Sequence, residues 1–171
     1  MQRIGAYLNP KTILEIGCRS GISICQLLSN CTDFNDKKVY LFDVFNDGFI
    51  SPELVKLNLS HLNIPTDIVT FFTGKSEETI PKFKADNPTL KFDYILVDGD
   101  HTKSVAMLDL TNVSNMLNPG GIIIFDDIAP DGCDLKDVWD LWKAQQGDNF
   151  DYFEDYNGKG VGVAVFKGGA K

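Results

Sequence analysis

The chain has 171 residues, a length that fits one domain with a sizeable hydrophobic core. Hydrophobic residues make up 43% of the sequence, and the formal net charge is -8. Because an acidic surface repels phosphate backbones and anionic membranes, this charge argues against nucleic acid and membranes as partners.

The first predicted unit is a strand, a glycine turn and a helix. The strand covers residues 12–16, and Gly17 and Gly21 follow it. Apolar residues then recur at helical spacing, at Ile24, Leu27, Leu28 and Cys31. Glycines there let backbone N–H groups approach a ligand, although any strand-to-helix turn has a similar pattern. A dinucleotide fingerprint would also need glycine at positions 19 and 22, which are Arg19 and Ile22, so a nicotinamide dehydrogenase is disfavoured.

The second predicted strand covers residues 38–43 and ends in a carboxylate, Asp43. Asp43 falls 26 residues after Gly17, near the separation at which a Rossmann-like fold places an acid on a ribose diol. A turn aspartate beside residues 46–48 is an equally good interpretation.

Ser51 and Pro52 are an N-cap and a first-turn proline, and they predict a helix. Its apolar face is expected to carry Val55, Leu59 and Leu62. His61 lies inside this helix, where a packed or solvated histidine is commoner than a catalytic one.

A third strand is predicted over residues 67–73, followed by a glycine turn at residues 74–76. We expect a short helix after this turn, interrupted near Pro81, and then a loop over residues 86–91.

The fourth predicted strand, residues 92–97, is almost continuously apolar, as expected for a strand buried on both faces. It ends in the polar run Asp-Gly-Asp-His at residues 98–101. A helix is predicted from Thr102 until residues 118–120 stop it. Its inner face is expected to carry Ala106, Leu110, Val113 and Leu117.

Residues 121–125 form the fifth predicted strand, and two aspartates follow it. A helix is predicted over residues 134–146, and residues 151–156 and 161–166 are expected to form a hairpin at a sheet edge. The inward residues of that helix are expected to be Leu135, Val138, Leu141 and Trp142.

Aspartates follow two of the predicted strands. Because strands joined by crossover helices pair in parallel, Asp98 and Asp126 lie at carboxyl ends, ~5 Å apart if the strands are neighbours. Asp127 can join them only if the strand has ended and the chain has turned. Crowded carboxylates raise one another's pKa or hold a cation, for which Mg²⁺ is the natural choice. Alternatively, Asp100 caps the next helix and Asp127 belongs to a turn.

His101 follows Asp98 by three residues and could reach the same crevice. A neutral imidazole beside a metal-held hydroxyl is a reasonable general base at physiological pH. The alternative is an ordinary, partly exposed histidine at the start of a helix.

Taken together, these motifs resemble those of class I S-adenosylmethionine (SAM)-dependent methyltransferases. The chain is most similar to small-molecule O-methyltransferases of the macrocin O-methyltransferase type, from about residue 11 to residue 166. The motifs are residues 15–23 (Glu-Ile-Gly-Cys-Arg-Ser-Gly-Ile-Ser), Asp43, residues 98–101 and residues 119–127 (Pro-Gly-Gly-Ile-Ile-Ile-Phe-Asp-Asp). The resemblance implies an α/β fold: a Rossmann-like seven-stranded sheet of order 3-2-1-4-5-7-6, with the last strand antiparallel and helices on both faces.

The resemblance also implies a reaction, in which SAM donates a methyl group to a hydroxyl of a small molecule such as a sugar or natural product. The implied cofactor-binding residues are Glu15, Gly17, Gly21, Ser23, Asp43, Gly74, Ser76 and Asp98. By similarity, Asp98, Asp126 and Asp127 would hold Mg²⁺, and His101 would take the proton of the acceptor hydroxyl. Methyl transfer to oxygen needs in-line positioning and deprotonation, which a metal and a base supply.

The sequence departs from the family pattern in three places. Arg19 stands where the wider superfamily commonly has a middle glycine. Residues 74–76 stand where the family usually has a second acidic turn that meets the adenine amine. Family members commonly have N-terminal helices that close over substrate, whereas eleven residues precede the first predicted strand here. This departure favours the alternative hypothesis of a non-catalytic module that binds a cofactor or a protein. A homo-oligomer that completes the pocket also stays open.

The four cysteines form no Cys-x-x-Cys pair, and a chain of this size does not need disulfide bonds. We therefore expect reduced thiols in a cytoplasmic protein, without a targeting segment, since residues 1–8 lack a signal-peptide apolar core. No linker or repeat divides the sequence. One domain is expected over residues 1–171, with a short lead at 1–11 and a frayed tail at 167–171.

Overall fold

The computed structural model describes residues 2–168, except residues 47 and 49 and the side chains of residues 2–4. The helices are α1 Gln2–Leu8, α2 Ile22–Leu28, α3 Pro52–His61, α4 Ser76–Asp86, α5 Lys103–Val113 and α6 Lys136–Gln146, with a 3-10 turn at Gly147–Asn149. The strands are β1 Thr12–Ile16, β2 Lys38–Asp43, β3 Val69–Thr73, β4 Phe92–Val97, β5 Leu117–Asp126, β6 Phe150–Asp155 and β7 Val161–Phe166. Asp47 of the predicted turn and residues 169–171 of the predicted tail lie outside the described residues.

The seven strands form one sheet in the order β3-β2-β1-β4-β5-β7-β6, which confirms the predicted fold. Strands β1 to β5 pair in parallel, and β7 runs antiparallel to both β5 and β6. Because helices connect the parallel strands, the carboxyl ends of β1, β2, β4 and β5 meet at one edge of the sheet.

Hydrophobic side chains fill a layer on each face of this sheet. Strand β4 shows the alternation, since Ile95 and Val97 pack into one layer and Tyr94 and Leu96 into the other. Helices α4, α5 and α6 cover the first layer, and α2 and α3 cover the second. Burial on both faces explains the nearly continuous apolar sequence of β4.

Strand β5 is longer than predicted and begins at Leu117, which the sequence pattern assigned to the preceding helix. Helix α5 ends at Val113. Pairing with β4 explains the difference, because Leu117 lies opposite Phe92 and the Asn118 amide donates to Asp93 Oδ1 at 2.8 Å. Cross-strand pairing therefore overrides the helical spacing of Leu117.

Other element boundaries also differ from the prediction. Helix α4 runs unbroken through Pro81, which lacks only the N–H that would bond to the carbonyl of Glu77. Strand β3 begins at Val69. In α6 Leu141 is exposed, because the inward stripe of residues 135, 138 and 142 runs through Trp139 instead. Leu62 lies just beyond α3 and is exposed. Within the described part of the chain, no helix is long and apolar enough to cross a membrane.

Candidate active site at the carboxyl edge of the sheet

The glycine loop after β1 lies directly against the end of β4. Gly17 has a φ of 85°, and a Cβ atom there would lie 1.8 Å from the carbonyl oxygen of Asp98. Gly21 has a φ of 76°, and its Cβ would lie 2.7 Å from Val55 Cγ1. At both positions only glycine adopts the positive φ readily and also lacks the Cβ atom that would clash. The loop is therefore fixed between β4 and α3.

Glu15 is a buried carboxyl group beneath this loop, with 1% of its surface exposed. It accepts a hydrogen bond from the hydroxyl of Ser23. Burial raises the pKa of Glu15 to about 8, with the nearby carboxylates of Asp98 and Asp43 contributing to the shift and the Ser23 hydrogen bond opposing it. A ligand cation at this position would favour the ionised form of Glu15.

Asp43 joins the end of β2 to the glycine loop. Its Oδ2 accepts from the Arg19 N–H at 2.8 Å, and its Oδ1 accepts from the Phe45 N–H at 3.0 Å. The second bond is a local turn contact, as the turn interpretation expected. Each oxygen keeps a further lone pair for a ligand hydroxyl, so the two interpretations of Asp43 are compatible.

The turn after β3 leads to a buried carboxyl group that the sequence analysis missed. The Gly74 N–H donates to the Asp43 carbonyl at 3.0 Å, and the Ser76 hydroxyl donates to Asp109 Oδ2 at 3.0 Å. Asp109 is fully buried, its Oδ1 has no hydrogen-bond partner among the described residues, and burial raises its pKa to about 7. Helical spacing could have revealed it, because Asp109 lies on the apolar face three residues after Ala106.

Three aspartates meet at the ends of β4 and β5. Asp98, Asp126 and Asp127 each offer one carboxylate oxygen, and these oxygens all lie within 4.8 Å of one another. Asp127 has a φ of 63°, so the chain turns where β5 ends, which is the condition for both neighbours to share one site. Asp100 lies outside this set. It is exposed and accepts from the Thr102 N–H at 2.7 Å, a turn contact just before α5 and not a cap of the helix, whose N-cap is Thr102.

The electrostatics of this carboxylate set suit a divalent cation. Burial raises the pKa of Asp98 to about 6, with Asp126 contributing, and burial also raises the pKa of Asp126. Asp127 is fully buried, and in the described part of the chain neither of its oxygens has a hydrogen bond of good geometry. A buried carboxylate without hydrogen bonds is costly unless a cation compensates it. The all-oxygen donor set therefore fits a hard ion such as Mg²⁺.

Two cationic or titratable side chains surround Asp127. His101 Nε2 lies 3.1 Å from Asp127 Oδ2 and 3.4 Å from Asp98 Oδ1, and 40% of the His101 side chain is exposed. Lys159 Nζ lies 3.3 Å from Asp127 Oδ1. The sequence analysis missed Lys159, and no local signal reveals it, because the β6–β7 turn reaches the site only through pairing of β7 with β5.

The comparisons with known proteins agree with this arrangement. Residues 14–128 match a family described as a methyltransferase domain, and the chain belongs to this family. The expected resemblance is thus confirmed.

A curated relative is the 8-demethyl-8-(2,3-dimethoxy-alpha-L-rhamnosyl)-tetracenomycin-C 4'-O-methyltransferase of Streptomyces olivaceus, which is 31% identical over 109 residues. The match covers 64% of this chain and 39% of the relative, so the chain spans about two fifths of that relative's length.

Two solved structures share the fold. An O-methyltransferase from Bacillus cereus in complex with SAH has a TM-score of 0.77 at 18% identity, over 97% of this chain and 78% of the other. An O-methyltransferase from Streptomyces achromogenes, involved in tomaymycin synthesis and in complex with SAM, has a TM-score of 0.76 at 18% identity, over 98% and 78%.

Proposed function

We propose that this protein transfers a methyl group from SAM to a hydroxyl oxygen of a small molecule, with a divalent cation bound beside the donor. One observation carries the proposal: the glycine loop after β1 contacts Asp98, a member of the carboxylate set, and His101 Nε2 lies 3.4 Å from Asp98 Oδ1. The residues proposed for the donor site, for the cation site and as the base are therefore neighbours at one edge of the sheet.

The donor site is built from loops that present polar groups to one crevice. We assign the methionine part of SAM to the loop from Gly17 to Gly21, with Glu15 and Ser23 beneath it. Glu15 would ionise opposite the positive charge of the donor. We assign the ribose hydroxyls to Asp43. The adenine end of SAM would lie near Gly74, Ser76 and Asp98.

The acceptor side is built around His101. When bound, SAM would supply a methyl group on a positively charged sulfur. Asp98, Asp126 and Asp127 would hold Mg²⁺, which would lower the pKa of an oxygen ligand. His101 Nε2 would receive the proton of the acceptor hydroxyl. The carboxylate of Asp127, 3.1 Å from that nitrogen, would stabilise the resulting imidazolium.

The acceptor is proposed to be a sugar or natural-product hydroxyl. The printed name of the Streptomyces olivaceus relative describes a 4'-O-methyltransferase acting on a rhamnosylated tetracenomycin, and this is the basis for the class. The net charge of -8 also disfavours polyanionic acceptors. All four cysteines are free thiols, which is consistent with the proposed cytoplasmic location.

Binding of the donor can be tested by calorimetry. SAM should bind, and Asp43→Ala should weaken binding at least about tenfold, because removal of a hydrogen-bonded charged partner costs roughly 1.5–3 kcal/mol. Asp36→Ala is the matched control, since Asp36 is exposed and pairs with Lys11, away from the glycine loop. An absence of binding at millimolar SAM, or selective binding of NAD instead, would reject the proposal.

Transfer can be tested with SAM carrying a labelled methyl group, Mg²⁺ and a panel of hydroxylated sugars and aromatic polyketides. The label should appear on an acceptor oxygen, and His101→Gln should lower kcat by roughly 10²-fold or more. A His101→Gln variant with full activity would remove the base role. SAM binding without transfer to any acceptor would favour the non-catalytic module.

A further inference from the structure

We propose that His101, Asp127 and Cys133 form a transition-metal site for zinc-like ions, which shares Asp127 with the carboxylate set proposed to hold magnesium. One ligand atom of each, an imidazole nitrogen, a carboxylate oxygen and the Cys133 sulfur, lies within 4.8 Å of the other two. This set is chemically distinct from the three aspartates, because it contains nitrogen and sulfur.

Backbone contacts hold Cys133 next to Asp127. After β5 the chain folds back on itself: the Gly132 N–H donates to the Ala129 carbonyl at 3.0 Å, and the Leu135 N–H donates to the Asp127 carbonyl at 3.0 Å. A Cβ atom at Gly132 would lie 2.6 Å from Asp127 Oδ1, so glycine is needed for this approach. Cys133 thus reaches Asp127 through the fold of the loop.

The buried carboxylate of Asp127 supplies independent evidence for a ligand. It is fully buried, and among the residues that the structure describes its two oxygens have ion-pair neighbours but no hydrogen bond of good geometry. Lys159 lies near Oδ1, at 3.3 Å, which leaves Oδ2 facing His101 Nε2 at 3.1 Å. Two ligand atoms about 2.0–2.1 Å from one tetrahedral ion are separated by roughly 3.3 Å, close to the observed distance.

The donor types decide which ions can bind. Thiolate and imidazole favour zinc and related transition metals, whereas Mg²⁺ takes oxygen ligands. Three protein ligands leave one tetrahedral position for water. Cys133 is exposed, and on binding its thiol would give its proton to solvent and ligate the ion as thiolate.

Sharing of Asp127 makes the two metals competitors. A zinc ion bound to His101 would also occupy the nitrogen proposed to accept the acceptor's proton. Inhibition of methyl transfer by zinc therefore rests on the proposed function. The metal site itself does not rest on the proposed function, because metal binding can be measured without methyl transfer.

Cobalt is the spectroscopic probe. Titration of the full chain with Co²⁺ should produce a thiolate-to-cobalt charge-transfer band in the near ultraviolet, and Cys133→Ser should abolish it. Asp131→Asn is the matched control, since Asp131 is an exposed carboxylate in the same loop and outside the donor set. It should leave the band unchanged. A wild-type spectrum without the band, or a band that persists in Cys133→Ser, would overturn the proposal.

Calorimetry with Zn²⁺ is a second test of the proposed site, because it measures the zinc affinity directly. Cys133→Ser and His101→Ala should each weaken Zn²⁺ binding at least about tenfold. Saturating Mg²⁺ should weaken Zn²⁺ binding in the wild type, because both ions need Asp127. Zinc affinity that is unchanged in Cys133→Ser would overturn the zinc site. Zinc affinity that is indifferent to Mg²⁺, in a protein shown to bind Mg²⁺, would contradict the sharing of Asp127. The Cys133→Ser result depends neither on Mg²⁺ nor on methyl transfer, so the zinc site and the proposed function fail separately.

Discussion

A Cβ atom at Gly17 would lie 1.8 Å from the carbonyl oxygen of Asp98. The loop proposed to hold the donor and the strand end that begins the carboxylate set are therefore in direct backbone contact. Movement of either one must move the other.

Replacing Gly17 with alanine should consequently damage the fold as well as the site. The new methyl group would meet a backbone atom, and the φ of 85° is unfavourable for alanine. We expect Gly17→Ala to lower the free energy of unfolding by roughly 2–4 kcal/mol in urea. Gly120→Ala is the control. Gly120 has a φ of 79°, but apart from its chain neighbours no described atom lies within 4 Å of a Cβ added there, so this substitution should cost only ~1–2 kcal/mol. Equal costs would show that the Asp98 contact is unimportant.

The proposed magnesium site is the carboxylate set of Asp98, Asp126 and Asp127, and substitutions there test it. Asp98→Asn should weaken Mg²⁺ binding at least about tenfold, because an anionic oxygen ligand becomes a neutral amide. Calorimetry or competition with Mn²⁺ measures this without turnover. Asp100→Asn should bind Mg²⁺ normally, since Asp100 lies outside the carboxylate set and accepts from the Thr102 N–H in the turn before α5. If Asp98→Asn and the wild type bind Mg²⁺ equally, or activity persists in excess chelator, the magnesium assignment is wrong.

Glu15 predicts proton release when SAM binds. Its pKa of about 8 in the free protein means that the carboxyl group is mostly protonated at pH 7. The positive charge of the donor would lower this pKa, so up to roughly one proton should leave Glu15 on binding. Titrations at pH 7 in phosphate and in Tris, which differ in ionisation enthalpy, measure the number released. Glu15→Gln keeps an acceptor for Ser23 and should release none. Equal proton release by variant and wild type would exclude Glu15 as the source.

Asp109 predicts a pH dependence of stability. Burial raises its pKa from an ordinary value of 3.8 to about 7. Between these pH values the folded state holds a proton that the unfolded state lacks, so stability falls as pH rises from about 4 to about 7. The effect is at most a few kcal/mol, at about 1.4 kcal/mol per pKa unit.

Urea unfolding in chelator between pH 4 and pH 8 tests this prediction. Asp109→Asn retains an acceptor for Ser76 and should be less sensitive to pH than the wild type. Asp148→Asn, at an exposed position, should keep the wild-type dependence. A slope that is unchanged in Asp109→Asn would assign the pH dependence to other groups, such as Glu15.

Much of the fold could be predicted because its signals are local. The strands β1, β2 and β4 have the predicted bounds, since apolar runs that end at glycine or aspartate are informative by themselves. Prediction was wrong where long-range pairing competed with local spacing. Leu117 shows this, because its position on a helical face was real but pairing with Phe92 placed it in β5.

The sequence alone determined where strands β1, β2 and β4 end, because side-chain alternation and turn chemistry act over a few neighbours. It therefore identified Asp43, Asp98 and Asp126 as candidates, and resemblance to a family supplied the strand order. Only the tertiary structure decided which other groups join them. Lys159 and Cys133 reach Asp127 because β7 pairs with β5 and the loop after β5 folds back. Contacts of that kind depend on the packing of distant segments, for which a single sequence carries no local signal.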